Sequence, residues 1–158
     1  MKLQSLLKPG QPNQHLLILA TNDAYDALRA LGHDPKNNCS VRFLRGSKCA
    51  DRAGFFDEAA AALQLGPHFG ENWDAFHDSL SELPNIHSET VILVVLEAGS
   101  FLESPKDALT NFQTVVKEVV AEWAKPAAGK PVRNLHIVYQ AETDKILGTK
   151  LPGLVKLA

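Results

Sequence analysis

The segment VILVVLE, residues 91–97, sets six aliphatic side chains in a row before its first charge, Glu97. A strand with one wet face alternates apolar and polar residues, so an unbroken run of this length reads as a strand buried on both faces. Outward from it, HLLILA (15–20), VRFL (41–44) and LHIVY (135–139) read as three further short strands. Helical patterns separate them. Thr21, Asn22 and Asp23 can cap a helix running to about Leu31, with Gly32 as its stop. GFFDEAAAALQL carries an alanine-rich helix over about 52–64. Leu109, Phe112, Val115, Val116, Val119 and Trp123 recur at spacings of three and four, which predicts a long amphipathic helix stopped by Pro126 and Gly129. Strands separated by helical crossovers imply an α/β layered domain with a mainly parallel sheet covered by helices. Residues 1–14 and 142–158 read as extensions or an edge arm.

A chain of 158 residues with 45% hydrophobic content has enough apolar surface for one compact domain. The start MKLQSLLKPGQPNQ has too short an apolar run for a signal peptide, and no later segment reaches the roughly 18 apolar residues of a membrane span, so a cytoplasmic protein is expected. Cys39 and Cys49 lack metal-ligand spacing and are expected to be reduced, as small fillers or surface thiols.

The net charge of −2 conceals an uneven distribution. Between Arg52 and Lys106 there is no lysine or arginine, while Asp57, Glu58, Glu71, Asp74, Asp78, Glu82, Glu89, Glu97 and Glu103 all fall there. The chain before this interval carries eight basic and four acidic residues, and the chain after it eight and five. A middle of this kind repels nucleic acid and attracts a cation or a basic partner.

The acidity is densest in HFGENWDAFHDSL, residues 68–80. At about 100° per residue, Glu71, Asp74, Asp78 and Glu82 fall within an arc of about 80°, and Trp73, Phe76, Leu80 and Leu83 gather opposite. The segment therefore predicts an amphipathic helix with its aromatic face inward and its carboxylates outward, and His77 on the border. An outward charged face is often only solvated. Here the carboxylates repel one another without a lysine at i,i+4, and the helix dipole that helps Glu71 does not reach Asp78 or Glu82, which favours presentation of the charge to a ligand. A metal site would need more than Asp74 and His77 can supply, and the sequence holds no second D/E-x-x-H and no H-E-x-x-H. Acid–base work by paired carboxylates is also open, though any solvated acidic face meets that pattern. A basic protein surface matches best. His68 and His77 both sit among acids that favour the imidazolium.

At these residues the sequence resembles the barstar family of intracellular inhibitors of barnase-type ribonucleases. HFGENWDAFHDSL agrees with the family's Y-Y-G-E-N-L-D-A-L-W-D-C-L at Gly70, Glu71, Asn72, Asp74, Ala75, Asp78 and Leu80. Gly46 precedes Gly70 by the family's spacing, LEAGSF (96–101) resembles L-E-W-R-Q-F, and KEVVAEW falls where the family has R-E-A-K-A-E. The resemblance covers about residues 41–139. It implies a barstar-like layered domain over 41–140, a mainly parallel three-stranded sheet covered by helices, with an extra N-terminal βα extension (1–40) packed on the same domain and a C-terminal tail (141–158). It also implies a protein that is not an enzyme, takes no cofactor or metal, is monomeric when free, and binds a basic extracellular-type or toxin ribonuclease one to one, with no nucleic-acid or membrane partner.

Carried over by position, Asp78 is implied as the main anchor, with Asp74 beside it and Glu118 as a second carboxylate from the last helix. Gly70 and Asn72 are implied to shape the loop and helix start, His68 to stand for a tyrosine that packs on the enzyme, and Phe69, Trp73 and His77 to complete the partner-binding set. Departures lie in the rim: His77 replaces tryptophan, Ser79 and Leu83 replace a cysteine and a tryptophan, and about six residues are inserted before the second apolar strand. A general interaction module for some other basic protein and, more remotely, a metal-dependent hydrolase stay open as readings of the residues themselves.

Overall fold

A computed structural model describes residues 2–10, 12–145 and 150–157. Met1, Gln11, residues 146–149 and Ala158, all within the two terminal segments, lie outside the described residues. The strands are β1 (Gln14–Ile18), β2 (Cys39–Arg45), β3 (Thr90–Leu96), β4 (Asn134–Ala141) and β5 (Val155–Lys156). The helices are α1 (Thr21–His33), α2 (Arg52–Leu63), α3 (Trp73–Glu82) and α4 (Ala108–Ala124), with a short 3-10 helix at Leu3–Leu7.

The sheet runs β2-β3-β4-β1-β5, with every pairing parallel. β2, β3 and β4 are the three strands expected of the family domain, in register from Cys39↔Thr90 and Thr90↔Asn134 onward. The N-terminal strand joins the same sheet beyond β4, pairing Gln14 with Ile137, and β5 adds a short edge against it. The unbroken apolar run of β3 has the expected cause. Val91, Leu93 and Val95 face a core built with α2, α3 and α4, whereas Ile92 and Val94 face a second core built with α1 and the arm residues Leu3 and Leu6. Both faces of the central strand are thus dry, as a parallel sheet between helical layers requires.

Two local expectations are corrected. α1 does not stop at Gly32 but continues to His33. Gly32 serves close packing instead, since a Cβ there would lie 2.9 Å from Cγ2 of Val41 on β2. Nor do Thr21, Asn22 or Asp23 cap α1, because the N-cap is Ala20 and the Thr21 hydroxyl accepts from Gln140 Nε2 at 3.3 Å. Cys39 and Cys49 are free and buried, and burial pushes their thiols up to about 11 and about 12.

A buried histidine pair ties the N-terminal arm to the sheet. His136 Nε2 donates to the carbonyl of Lys8 at 3.1 Å, so in its neutral form Nδ1 accepts from His15 Nε2, also at 3.1 Å. Desolvation, reinforced by His136, lowers His15 to about 4 from its ordinary 6.5. The unfolded chain then binds this proton more tightly, so the contribution is present above 6.5 and is lost as pH falls toward 4. Urea unfolding at those two ends should differ by on the order of 3 kcal/mol on account of this residue. A His15→Gln variant should show a correspondingly shallower acid loss. An equal loss in both proteins would contradict the assignment.

Candidate functional site

The turn into α3 explains the Gly-Glu-Asn-x-Asp-Ala run in local terms. Asn72 is the N-cap: its Oδ1 accepts from the Ala75 amide at 2.8 Å and its Nδ2 donates to the Gly70 carbonyl at 3.1 Å. Any Cβ on Gly70 would approach Ala75 Cβ and Asn72 Nδ2 to 3.3 Å, tighter than ordinary contact. Glu71 takes a left-handed backbone, φ 52°. It therefore stands outside the helix and does not continue the carboxylate stripe, which corrects the wheel drawn from sequence. Glu82 stays on the outward face at the end of α3, where Lys130 from beyond the last helix lies 3.5 Å from it.

The inward face of α3 is as expected. Phe76 and Leu80 are buried, and Trp73 is half-buried, stacked on Phe55 at 5.6 Å and edge-on to Phe56 at 5.0 Å. Phe69 also leans on Phe56, at 5.7 Å, which anchors the loop before the helix to the core. His68, in the same loop, is exposed.

The outward face opens onto a cleft of about 480 Å³ between α3 and α4, lined by Trp73, Asp74, His77, Asp78, Asn111, Thr114, Val115 and Glu118. The structure thus gathers Trp73, Asp74, His77, Asp78 and Glu118 around one cavity, and leaves His68, Phe69, Gly70 and Asn72 in the loop leading to it. Asp78 has 84% of its side-chain area exposed and Glu118 56%, so both carboxylates are open to solvent and can exchange water for a cationic group.

Sequence reasoning missed Glu122 and Ser81. His77 Nε2 lies 2.7 Å from Glu122 and 3.7 Å from Glu118, while Nδ1 lies 3.4 Å from Asp78. Ser81 Oγ donates to the second oxygen of Glu122 at 2.8 Å, and Trp123 Nε1 donates to the Ser81 carbonyl at 3.0 Å, so these groups staple α3 to α4. The signal was the spacing of Glu118 and Glu122, one turn apart on the last helix. Desolvation works against charge on His77, but the hydrogen bonds to Asp78 and Glu122 and the charges of Glu122 and Glu118 outweigh it and hold its pKa above the ordinary value.

Chemically, a solvated cleft of carboxylates on two packed helices can receive guanidinium or ammonium groups set at matching spacing. Among the described residues no group of histidine, cysteine and acidic side chains is arranged to hold a metal ion, and no helix is long and apolar enough to cross a membrane. A search of curated protein sequences finds no match. The family comparison does: residues 39–140, a stretch that runs from β2 through α3 and α4 into β4, fit the family model of barstar, the barnase inhibitor, and the chain therefore belongs to the barstar family.

Proposed function

We propose that this protein inhibits a basic ribonuclease of the extracellular or toxin type by docking the α3–α4 cleft, with the loop before α3, over the enzyme's active site. The reading rests on one observation above all. Asp74, Asp78 and Glu118 present carboxylates around a single open cavity on two helices stapled to each other. Asp78 is the anchor, standing where an RNA phosphate would meet the catalytic cations, with Asp74 and Glu118 meeting flanking basic groups. His68, Phe69, Trp73 and His77 form the rim that decides which ribonuclease fits, and Gly70 and Asn72 hold that rim in shape. Family membership supports the inhibitor class. The protein acts by occupancy, performs no catalysis, and works one to one in the cytoplasm as the antidote to its cognate enzyme.

The test is RNA cleavage by barnase, or by a ribonuclease encoded near this chain, titrated with the purified protein. Stoichiometric loss of cleavage is expected. Raising the salt from about 0.05 to about 0.5 M should slow association by more than about tenfold while dissociation changes far less, because long-range steering is screened and short-range pairing is not. Capture of a basic protein without any block of cleavage would instead favour a non-inhibitory interaction module.

A further inference from the structure

One group in the cleft has no counterpart in the family pattern, an imidazole set among carboxylates. Each nitrogen of His77 faces an acceptor: Nε2 faces Glu122 at 2.7 Å with Glu118 behind it at 3.7 Å, and Nδ1 faces Asp78 at 3.4 Å. A neutral imidazole has one N–H and can donate to only one side, whereas the imidazolium donates to both. Among the described residues, the charged groups on this cleft are Asp74 and Asp78 from α3 and Glu118 from α4, with Glu122 of α4 against the ring, and no lysine or arginine lines it. Ser81 fixes Glu122 from the same helix as His77, so the ring is held from both sides of the interface.

We propose that His77 is the built-in cation of the cleft, positioned by Glu122 and Ser81, and that a basic group of the partner takes over its role beside Asp78, so that docking expels a proton. This rests on the cleft being the docking surface. In the free chain the imidazolium relieves the mutual repulsion of the carboxylates. An arginine or lysine arriving beside Asp78 brings a like charge next to His77, and the ring releases its proton to solvent and stays behind as a neutral hydrogen-bonding group. Between the pKa of His77 in the free chain and its lower pKa in the complex, each unit of acidification then weakens binding by about tenfold, since there one proton must leave for each complex formed.

The test follows the His77 imidazole by NMR in the full chain from about pH 5 to 9, alone and with hexa-arginine as the cationic probe. Glu122→Gln, which keeps a hydrogen-bonding side chain at an exposed site, should lower the midpoint in the free chain. Hexa-arginine should lower it by at least about half a unit in the wild type and leave it unmoved in Asp78→Asn. A midpoint that ignores both Glu122→Gln and the peptide overturns the proposal. With barnase, the affinity of the wild type should fall more steeply on acidification than that of His77→Gln, which carries no titrating group there. Equal slopes also overturn it. Midpoints that move as stated while barnase stays uninhibited sustain the proton coupling and sink only the ribonuclease reading.

Discussion

Asp78→Ala should weaken the complex with the target ribonuclease by at least about 2 kcal/mol, roughly thirtyfold in Kd, and leave the stability of the free chain within about 0.5 kcal/mol. Asp78 has 84% of its side-chain area in solvent, and among the described residues its side chain pairs with His77 at 3.4 Å, so truncation removes almost nothing that the free fold uses. In the complex the same truncation would leave the enzyme's cationic groups buried without a counter-charge, a cost that falls wholly on the bound state. Asp57→Ala, an exposed acid on α2, is the control for bulk charge and should inhibit as the parent does. Inhibition constants and urea unfolding measured on the same preparations separate the two effects. If Asp78→Ala inhibited as tightly as the parent, the anchor would lie elsewhere.

Phe55→Ala should have the largest effect on folding, a loss of about 3–5 kcal/mol in urea unfolding. Its ring is fully buried and lies 5.6 Å from Phe56, 5.6 Å from Trp73, 5.1 Å from Phe76, 5.7 Å from Phe101 and 5.3 Å from Phe112. It is where α2, α3 and α4 meet. A domain of this size is stable by only about 5–15 kcal/mol, so the variant should sit close to its unfolding threshold and expose ANS-binding surface on mild heating. Phe55→Leu retains more of the volume and should lose distinctly less. Near-parental stability in Phe55→Ala would mean that the aromatic cluster does not hold α3 in place.

Much of this was readable because it depends on periodicity. The apolar run at 91–96 called for cover on both faces, and the three-and-four spacing from Leu109 to Trp123 marked the inner stripe of α4 almost residue by residue. Asp74 and Asp78 against Phe76 and Leu80 followed from the turn of a helix alone. What failed needed the third dimension. Gly32 looked like a stop because glycine usually is one, yet here its missing Cβ admits Val41 of a neighbouring strand. Glu71 looked like the first member of the stripe because the wheel does not know where a helix starts; the asparagine one position later sets that boundary. Glu122 was invisible for a different reason. Its partner His77 is 45 positions away, and only the packing of α3 on α4 brings them together.

The two dry cores on opposite faces of the sheet also bear on how such a protein can change. Leu28 and Leu31 of α1 pack on Ile92, Val94 and Val138, whereas the helices of the cleft pack on Val91, Leu93, Val95 and Tyr139. Free-energy changes at sites without shared neighbours add, so substitutions in the α1 layer can raise or lower the lifetime of the folded chain while leaving the acidic cleft geometrically untouched. With the cleft as the proposed docking surface, residues at its rim could then change toward a new target at some loss of stability, with compensation accumulating on the opposite face of the sheet. Retargeting and robustness become separately selectable traits of one small domain.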